Sequence, residues 1–246
     1  MIRSLIFNFI YYPTTALLCF LYLPFLLTPR SWLCIMVELY VKIVHILEIY
    51  ILKLDYEVRG AEHLPKDEAF IVAAKHQSSY ETLKLHLLFK DPAIVMKKEL
   101  FKIPIWGWYA KKMELIGIDR SSREKALSSV VDGAKMAADN KRPIVIFPQG
   151  TRVKIDATSA DKPYKAGIMR MHKNSGLKVV PLALNSGVFW GRNAFIKKSG
   201  KVIFEFMPVL ESGLSTQQGL AILEKQIEDK TNALVKESLE AGNKDE

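Results

Sequence analysis

Apolar and polar positions divide the chain into two regimes. Leu5 to Leu27 carries no charged residue. As a helix this run reaches ~35 Å, enough to cross a bilayer core, and Pro13 and Pro24 predict a kinked or re-entrant path. Thr28-Pro29-Arg30-Ser31 is a break. Trp32 to Leu54 then predicts an amphipathic second helix, with Glu38, Lys42 and His45 on one face and Leu, Ile, Val and Tyr opposite. From residue 55 the rhythm shortens. Tyr56–Arg59, Ala69–Ala74, Ala93–Met96, Leu115–Ile118, Ile144–Ile146, Leu177–Leu184 and Val202–Phe206 read as strands. Thr82–Phe89, a segment from Ser121 through Ala138, Ala166–Asn174 and Thr216–Glu240 read as helices. The alternation predicts an α/β class, a mixed sheet flanked by helices, preceded by a two-helix membrane-attachment motif. Residues 1–54 would form the motif and 55–246 the body. The polar stretch between Arg152 and Lys165 reads as a mobile loop, and Ala241–Glu246 as a frayed tail.

Charge sharpens this picture. The 246 residues carry a formal charge of +9, which implies anionic partners such as nucleic acid, acidic headgroups or phosphorylated substrates. Lys97, Lys98, Lys102, Lys111 and Lys112 interleave with Phe101, Ile103, Ile105, Trp106, Trp108 and Tyr109. That mixture suits a headgroup layer, although any one of these lysines is equally well a solvated surface group. A nucleic-acid partner would leave the uncharged first segment unexplained, so none is expected. Cys19 and Cys34 lie in apolar stretches without metal or redox spacing; a disulfide framework and a metal site are not expected, and a reducing, cytosol-facing body is.

Two stretches carry candidate chemistry. Lys75-His76-Gln77-Ser78-Ser79-Tyr80-Glu81 joins a buried strand to a helix. A histidine at a strand's carboxyl end, beside a carboxylate in the next helix, is placed for general-base work. Residues five apart are out of phase on one continuous helix, so His76 and Glu81 meet only if His76 lies in the turn and Glu81 in the first helical turn. Ser78-x-x-Glu81 is also a capping-box pattern, so Glu81 serves the helix end, the histidine, or both. Downstream, Phe147-Pro148-Gln149-Gly150-Thr151-Arg152 follows a strand. Its glycine permits close backbone approach and its arginine bidentate bonds, which suits a phosphate. Arg120 stands just ahead of a helix predicted to start at a second capping box, Ser121-x-x-Glu124. Phosphate is favoured there, with a surface pairing to Asp119 or Glu124 as the alternative.

In this order the blocks resemble the glycerolipid acyltransferase family, in particular the 1-acyl-glycerol-3-phosphate acyltransferases. The family's His-x4-Asp motif stands here as His76-x4-Glu81, and its Phe-Pro-Glu-Gly-Thr-Arg motif as Phe147–Arg152 with Gln149 for the glutamate. Lys97-Lys98-Glu99-Leu100 with Pro104 and Gly107, running on to Gly117–Arg120, and Val179-Val180-Pro181-Leu182-Ala183 match intermediate blocks. The resemblance covers about residues 55 to 210. It implies acyl transfer from acyl-CoA or acyl carrier protein to lysophosphatidic acid, with the acyl thioester as co-substrate and no cofactor. It implies His76 and Glu81 as the catalytic pair and Gln149, Gly150, Thr151, Arg152, Arg120 and Lys97 as substrate-binding residues. It also implies attachment to the bilayer, at the bacterial inner membrane with the catalytic domain facing the cytoplasm. Gln149, which loses the family's charge, leaves the acceptor open to other lysophospholipids, an ornithine-type lyso-lipid or glycerol 3-phosphate. A non-catalytic anionic-lipid-binding membrane protein is the alternative from another class.

Overall fold

A computed structural model describes residues 1–242. The last four residues of the expected tail lie outside the described residues, and Ala241 and Gly242 continue the last helix. In chain order the elements are α1 (Ile2–Leu21), α2 (Arg30–Leu47), β1 (Leu54–Arg59), β2 (Ile71–Ala74), α3 (Tyr80–Leu88), β3 (Ala93–Lys97), α4 (Trp106–Lys112), β4 (Ile116–Ile118), α5 (Arg123–Asp139), β5 (Ile144–Ile146), α6 (Gly167–Ser175), β6 (Val179–Leu184), α7 (Ser186–Phe189), β7 (Gly200–Phe206) and α8 (Thr216–Gly242).

The strands form one seven-stranded sheet in the order β1-β7-β6-β2-β5-β3-β4. All neighbours run parallel except β6 and β7, so the predicted mixed sheet is present. Both faces are covered, which explains why the central strands read as unbroken apolar runs. Ile71 and Ala73 of β2, with Ile144 and Ile146 of β5, face α5, α6 and α8 through Ala134, Ile168 and Ile227. Val72, Ala74 and Val145 face the other way, against Tyr80 and Leu85 of α3 and Phe7 of α1. The side-chain period of two therefore sends Lys75 toward the α8 face and His76 toward the α3 face.

The first two helices form a hairpin held to the body at its start, its tip and its return. Near the start, Ser4 Oγ donates to Lys197 O (3.0 Å) and accepts from Lys197 N (2.9 Å), and Lys197 Nζ donates to Asn8 Oδ1 (2.8 Å). At the tip, Arg30 binds Asp91 in bidentate fashion (2.7 and 2.8 Å) and donates to Met113 O (3.0 Å). At the return, buried Glu48 pairs with buried Lys84 of α3. The outer side carries exposed Ile2, Phe9, Phe20, Leu27, Ile35 and Tyr50. Among the described residues, Ile2–Leu27 is the one helical stretch long and apolar enough to cross a membrane.

Four local expectations are corrected. The second helix stops at Leu47 and passes through a π-helical turn, Glu48–Leu52, into β1, so Leu54 is strand. Lys53 takes a left-handed conformation (φ 57°) that ends the helical run. Glu38 and Lys42 pair on the surface (2.6 Å) as expected, but His45 turns inward to Lys84 Nζ (3.0 Å). The cap of α5 is Ser122, whose Oγ accepts from Lys125 N (3.1 Å), one residue later than expected. Finally, the 152–165 stretch is anchored at both ends: Val153 N donates to His76 O (2.8 Å) and Lys165 N to Pro148 O (3.0 Å). Val153 and Tyr164 are buried, so apolar side chains hold this loop where its polar composition hid them.

Candidate active site

The carboxyl ends of β2, β3, β4 and β5 meet along one edge of the sheet, the edge where open α/β folds bind ligands. From β2 the chain turns through His76 into α3. His76 Nδ1 lies 2.8 Å from Glu81 Oε1. The same oxygen accepts from Gln77 N (2.8 Å) and Ser78 N (2.7 Å). Ser186 Oγ donates to Glu81 Oε2 (2.7 Å). Glu81 is thus both helix cap and histidine partner, and one oxygen performs both tasks. The cap itself falls one residue later than expected: Ser79 precedes α3 and makes no side-chain cap bond, and Ser78 Oγ instead accepts from Tyr80 N (3.1 Å) in the turn ahead of the helix.

An ionised carboxylate only accepts, so Nδ1 carries the proton and Nε2 presents a lone pair. The imidazole also stacks on Phe147, with centroids 4.0 Å apart and planes 21° apart. A carboxylate on one side and a ring on the other leave it one orientation, and it lines the cavity in front of it.

The same cavity holds a group of cations. Gly150 adopts φ +69°, the left-handed region. A Cβ there would meet Lys165 Nζ at 3.0 Å and Arg120 Nη2 at 3.1 Å. The glycine therefore lets both cations close over the turn. Arg120 Nη2 donates to Gly150 O at 3.4 Å. Its expected alternative partner, Asp119, is engaged by Ser121 N (3.0 Å) and Lys98 Nζ (2.9 Å), contacts that hold the Asp119 carboxyl well below the usual carboxylate range. Lys97, Arg152 and Lys165 line the same cavity. Burial, then Arg120, Lys97 and Lys162, push the Lys165 ammonium below its ordinary value. Among the described residues no carboxylate pairs with Lys97, Arg120, Arg152 or Lys165. Uncompensated like charges lining one cavity, two of them meeting at Gly150, favour a bound anion.

The cavity holds about 1420 Å³, more than a typical small-ligand pocket. It runs from His76 and the cations into an apolar space between hairpin and body, lined by Leu18, Val37, Val41, Leu83 and Leu100. Of the residues singled out from sequence, His76, Lys97, Arg120, Gly150, Thr151 and Arg152 line it. Glu81 stands behind His76 and is buried. Gln149 is not among the lining residues; its side chain is buried and both amide atoms lack hydrogen-bond partners among the described residues. The turn at Gly150 sends it inward, away from the cavity.

A model of the Acyltransferase family matches residues 55–185, more than half of the chain. The chain belongs to the Acyltransferase family. It is similar to the 1-acyl-sn-glycerol-3-phosphate acyltransferase of Pseudomonas aeruginosa, 30% identical over 173 residues that cover 70% of this chain and 66% of that one. It is also similar to the protein of that name from Saccharomyces cerevisiae, 29% identical over 143 residues, 58% of this chain and 46% of that one. The matched stretch thus spans just under two thirds of the first relative and about half of the second. The crystal structure of the 1-acyl-sn-glycerophosphate (LPA) acyltransferase PlsC from Thermotoga maritima shares the fold, with a TM-score of 0.75, 24% identity and coverage of 95% of this chain and 96% of that one.

Two residues of this acyltransferase-family site escape a reading of its sequence. Lys165 sits in a polar stretch with nothing local to single it out. Ser186 follows the family-matched segment and reaches Glu81 only because β6 lies beside β2. A serine at the carboxyl end of a strand was the available signal, and its use required the strand order.

Proposed function

We propose that this chain transfers a fatty acyl group from a thioester, acyl-CoA or acyl carrier protein, to the sn-2 hydroxyl of 1-acyl-glycerol 3-phosphate, making phosphatidic acid. One observation carries the reading: a carboxylate-oriented histidine and an unpaired cation group share a cavity with a long apolar extension. His76 Nε2 takes the hydroxyl proton, and the oxygen attacks the thioester carbonyl. The tetrahedral intermediate collapses with C–S cleavage, and the imidazolium returns the proton to the departing thiolate. Glu81 stabilises the imidazolium in between. Lys97, Arg120, Arg152 and Lys165 hold the phosphate, and the apolar extension takes an acyl chain. The names of the relatives agree with this substrate.

The test is thiol release from oleoyl-CoA by vesicle-reconstituted protein, with and without lysophosphatidate. Release that requires lysophosphatidate is expected. Release supported only by another lyso-lipid would overturn the acceptor, and none with any acceptor or donor would overturn the reaction.

Gly150 offers a finer probe. Gly150→Ala puts a methyl group against both cations and adds about 1–2 kcal/mol of backbone cost at this left-handed φ. The KM for lysophosphatidate should rise about tenfold, the loss of roughly one charge-assisted bond. An unchanged KM would remove Arg120 and Lys165 from the phosphate site.

The hairpin, on this reading, lies in one leaflet as an attachment motif, residues 1–54, for a catalytic domain of residues 55–246. The body faces the cytoplasm from a bacterial inner membrane, on the family's pattern. Ser4, and the Cys19 carbonyl that accepts from Tyr109 Oη (2.6 Å), tie both ends of α1 to the body, whereas a spanning helix would carry its far end ~30 Å away through the bilayer. Exposed Phe9, Leu27 and Ile35 suit an interfacial helix. Pro29→Cys, in a background with Cys19 and Cys34 replaced by alanine, should not react with a membrane-impermeant maleimide from the side opposite Lys236→Cys. Reaction from that opposite side would mean that α1 spans.

A further inference from the structure

Among the largely buried charged clusters that the mechanism leaves unused, one lies behind the site. Lys75, immediately before the base, is 2% exposed. Its Nζ donates to both carboxylate oxygens of Glu228 on α8, at 2.6 and 2.7 Å. Tyr164, immediately before the cavity-lining Lys165, is also buried and donates from Oη to Glu228 Oε1 at 2.8 Å. One carboxylate is therefore bonded to the neighbour of His76 and to the neighbour of Lys165. We propose that Glu228 is a positioning residue that fixes the base and the anion site relative to each other. This rests on the acyl-transfer reading.

Three features argue for it. First, the two segments come from distant parts of the chain, and the backbone joins them through the β2–β5 ladder and the two anchors of the 152–165 stretch, none of which fixes a side chain. Second, a buried lysine–carboxylate pair is no stronger a staple than a well-packed apolar pair. What it adds is direction, since two oxygens set two donors at fixed distances. Third, transfer between two bound substrates is sensitive to sub-ångström placement of the base against the held phosphate. Glu228 lies beyond the family-matched segment, which ends at residue 185, so α8 completes the site from outside it.

The experiment separates the two arms in full-length protein on phosphatidylglycerol-containing vesicles. Tyr164→Phe should raise the KM for lysophosphatidate about tenfold with little change in kcat, and Lys75→Met should lower kcat about tenfold with little change in KM. Glu228→Gln should do both. Titration with inorganic phosphate reads the anion arm without turnover: weaker binding is expected in Tyr164→Phe and Glu228→Gln, and wild-type binding in Lys75→Met. If Glu228→Gln does not fold, Lys75→Met/Glu228→Leu removes both charges while keeping apolar packing, and the same two losses are expected. A lower Tm with wild-type kcat, KM and phosphate affinity per folded molecule would reduce Glu228 to a staple and overturn the proposal. Wild-type protein that binds phosphate yet shows no release with any acceptor or donor would overturn the acyl-transfer reading instead, and the phosphate titration would still decide the role of Glu228.

Discussion

Replacing His76 by alanine should lower lysophosphatidate-dependent turnover by ~10²–10⁴, the usual worth of a positioned general base. The protein should stay folded. His76 has 16% of its side chain exposed, and its backbone bond from Val153 N survives the change. Glu81 keeps Gln77 N, Ser78 N and Ser186 Oγ, so no buried carboxylate is left bare. The stability lost is mainly the stack on Phe147, about 1 kcal/mol. Lys97, Arg120 and Lys165 are untouched, so KM for lysophosphatidate should hold. Initial rates of thiol release, set beside thermal melts, measure both. Wild-type rates in His76→Ala would remove His76 from the chemistry, and an unfolded variant would leave Glu81→Gln as the informative change.

What could be read from the sequence was local. Ile71–Ala74 and Ile144–Ile146 announce buried strands, and the polar residues that follow announce turns at their carboxyl ends. Ser78 and Glu81 announce a helix start, and the five-residue spacing already requires a break between His76 and Glu81. Strand order was not readable. That β5 lies against β2 brings Phe147 onto the His76 ring, and that β6 lies on the other side brings Ser186 to Glu81. Neither follows from any local pattern. Gln149 shows the opposite failure: the motif suggested a substrate contact, and the left-handed turn at Gly150 turns its side chain inward. The π-helical turn after Leu47 and the inward rotation of His45 had no warning in the periodicity. Both arise where the hairpin docks on α3, a tertiary contact through Lys84.

Glu81 allows the sharpest separation of its two tasks. Glu81→Gln keeps an oxygen for Nδ1, Gln77 N and Ser78 N, and an amide in reach of Ser186. Geometry and tautomer survive while the charge is lost. Turnover should still fall by about 10²–10⁴, because a neutral amide does not stabilise the imidazolium formed during proton transfer. Glu81→Asp tests the converse. It keeps the charge but draws the carboxylate back by about 1.5 Å, one carbon–carbon bond. Three donors converge on Oε1 and one on Oε2, so the shorter acid has to give up part of the set unless α3 shifts. A loss of about 10–10² is expected for that misplacement. The family's aspartate is thus not a conservative exchange here, although it is one in charge. The double variant His76→Ala/Glu81→Gln decides what the carboxylate is for. If Glu81 acts through the imidazole, the double variant is no slower than His76→Ala alone, since groups that act as a unit are not additive. A double variant slower by the full Glu81→Gln factor would mean that Glu81 serves the start of α3 and not the base.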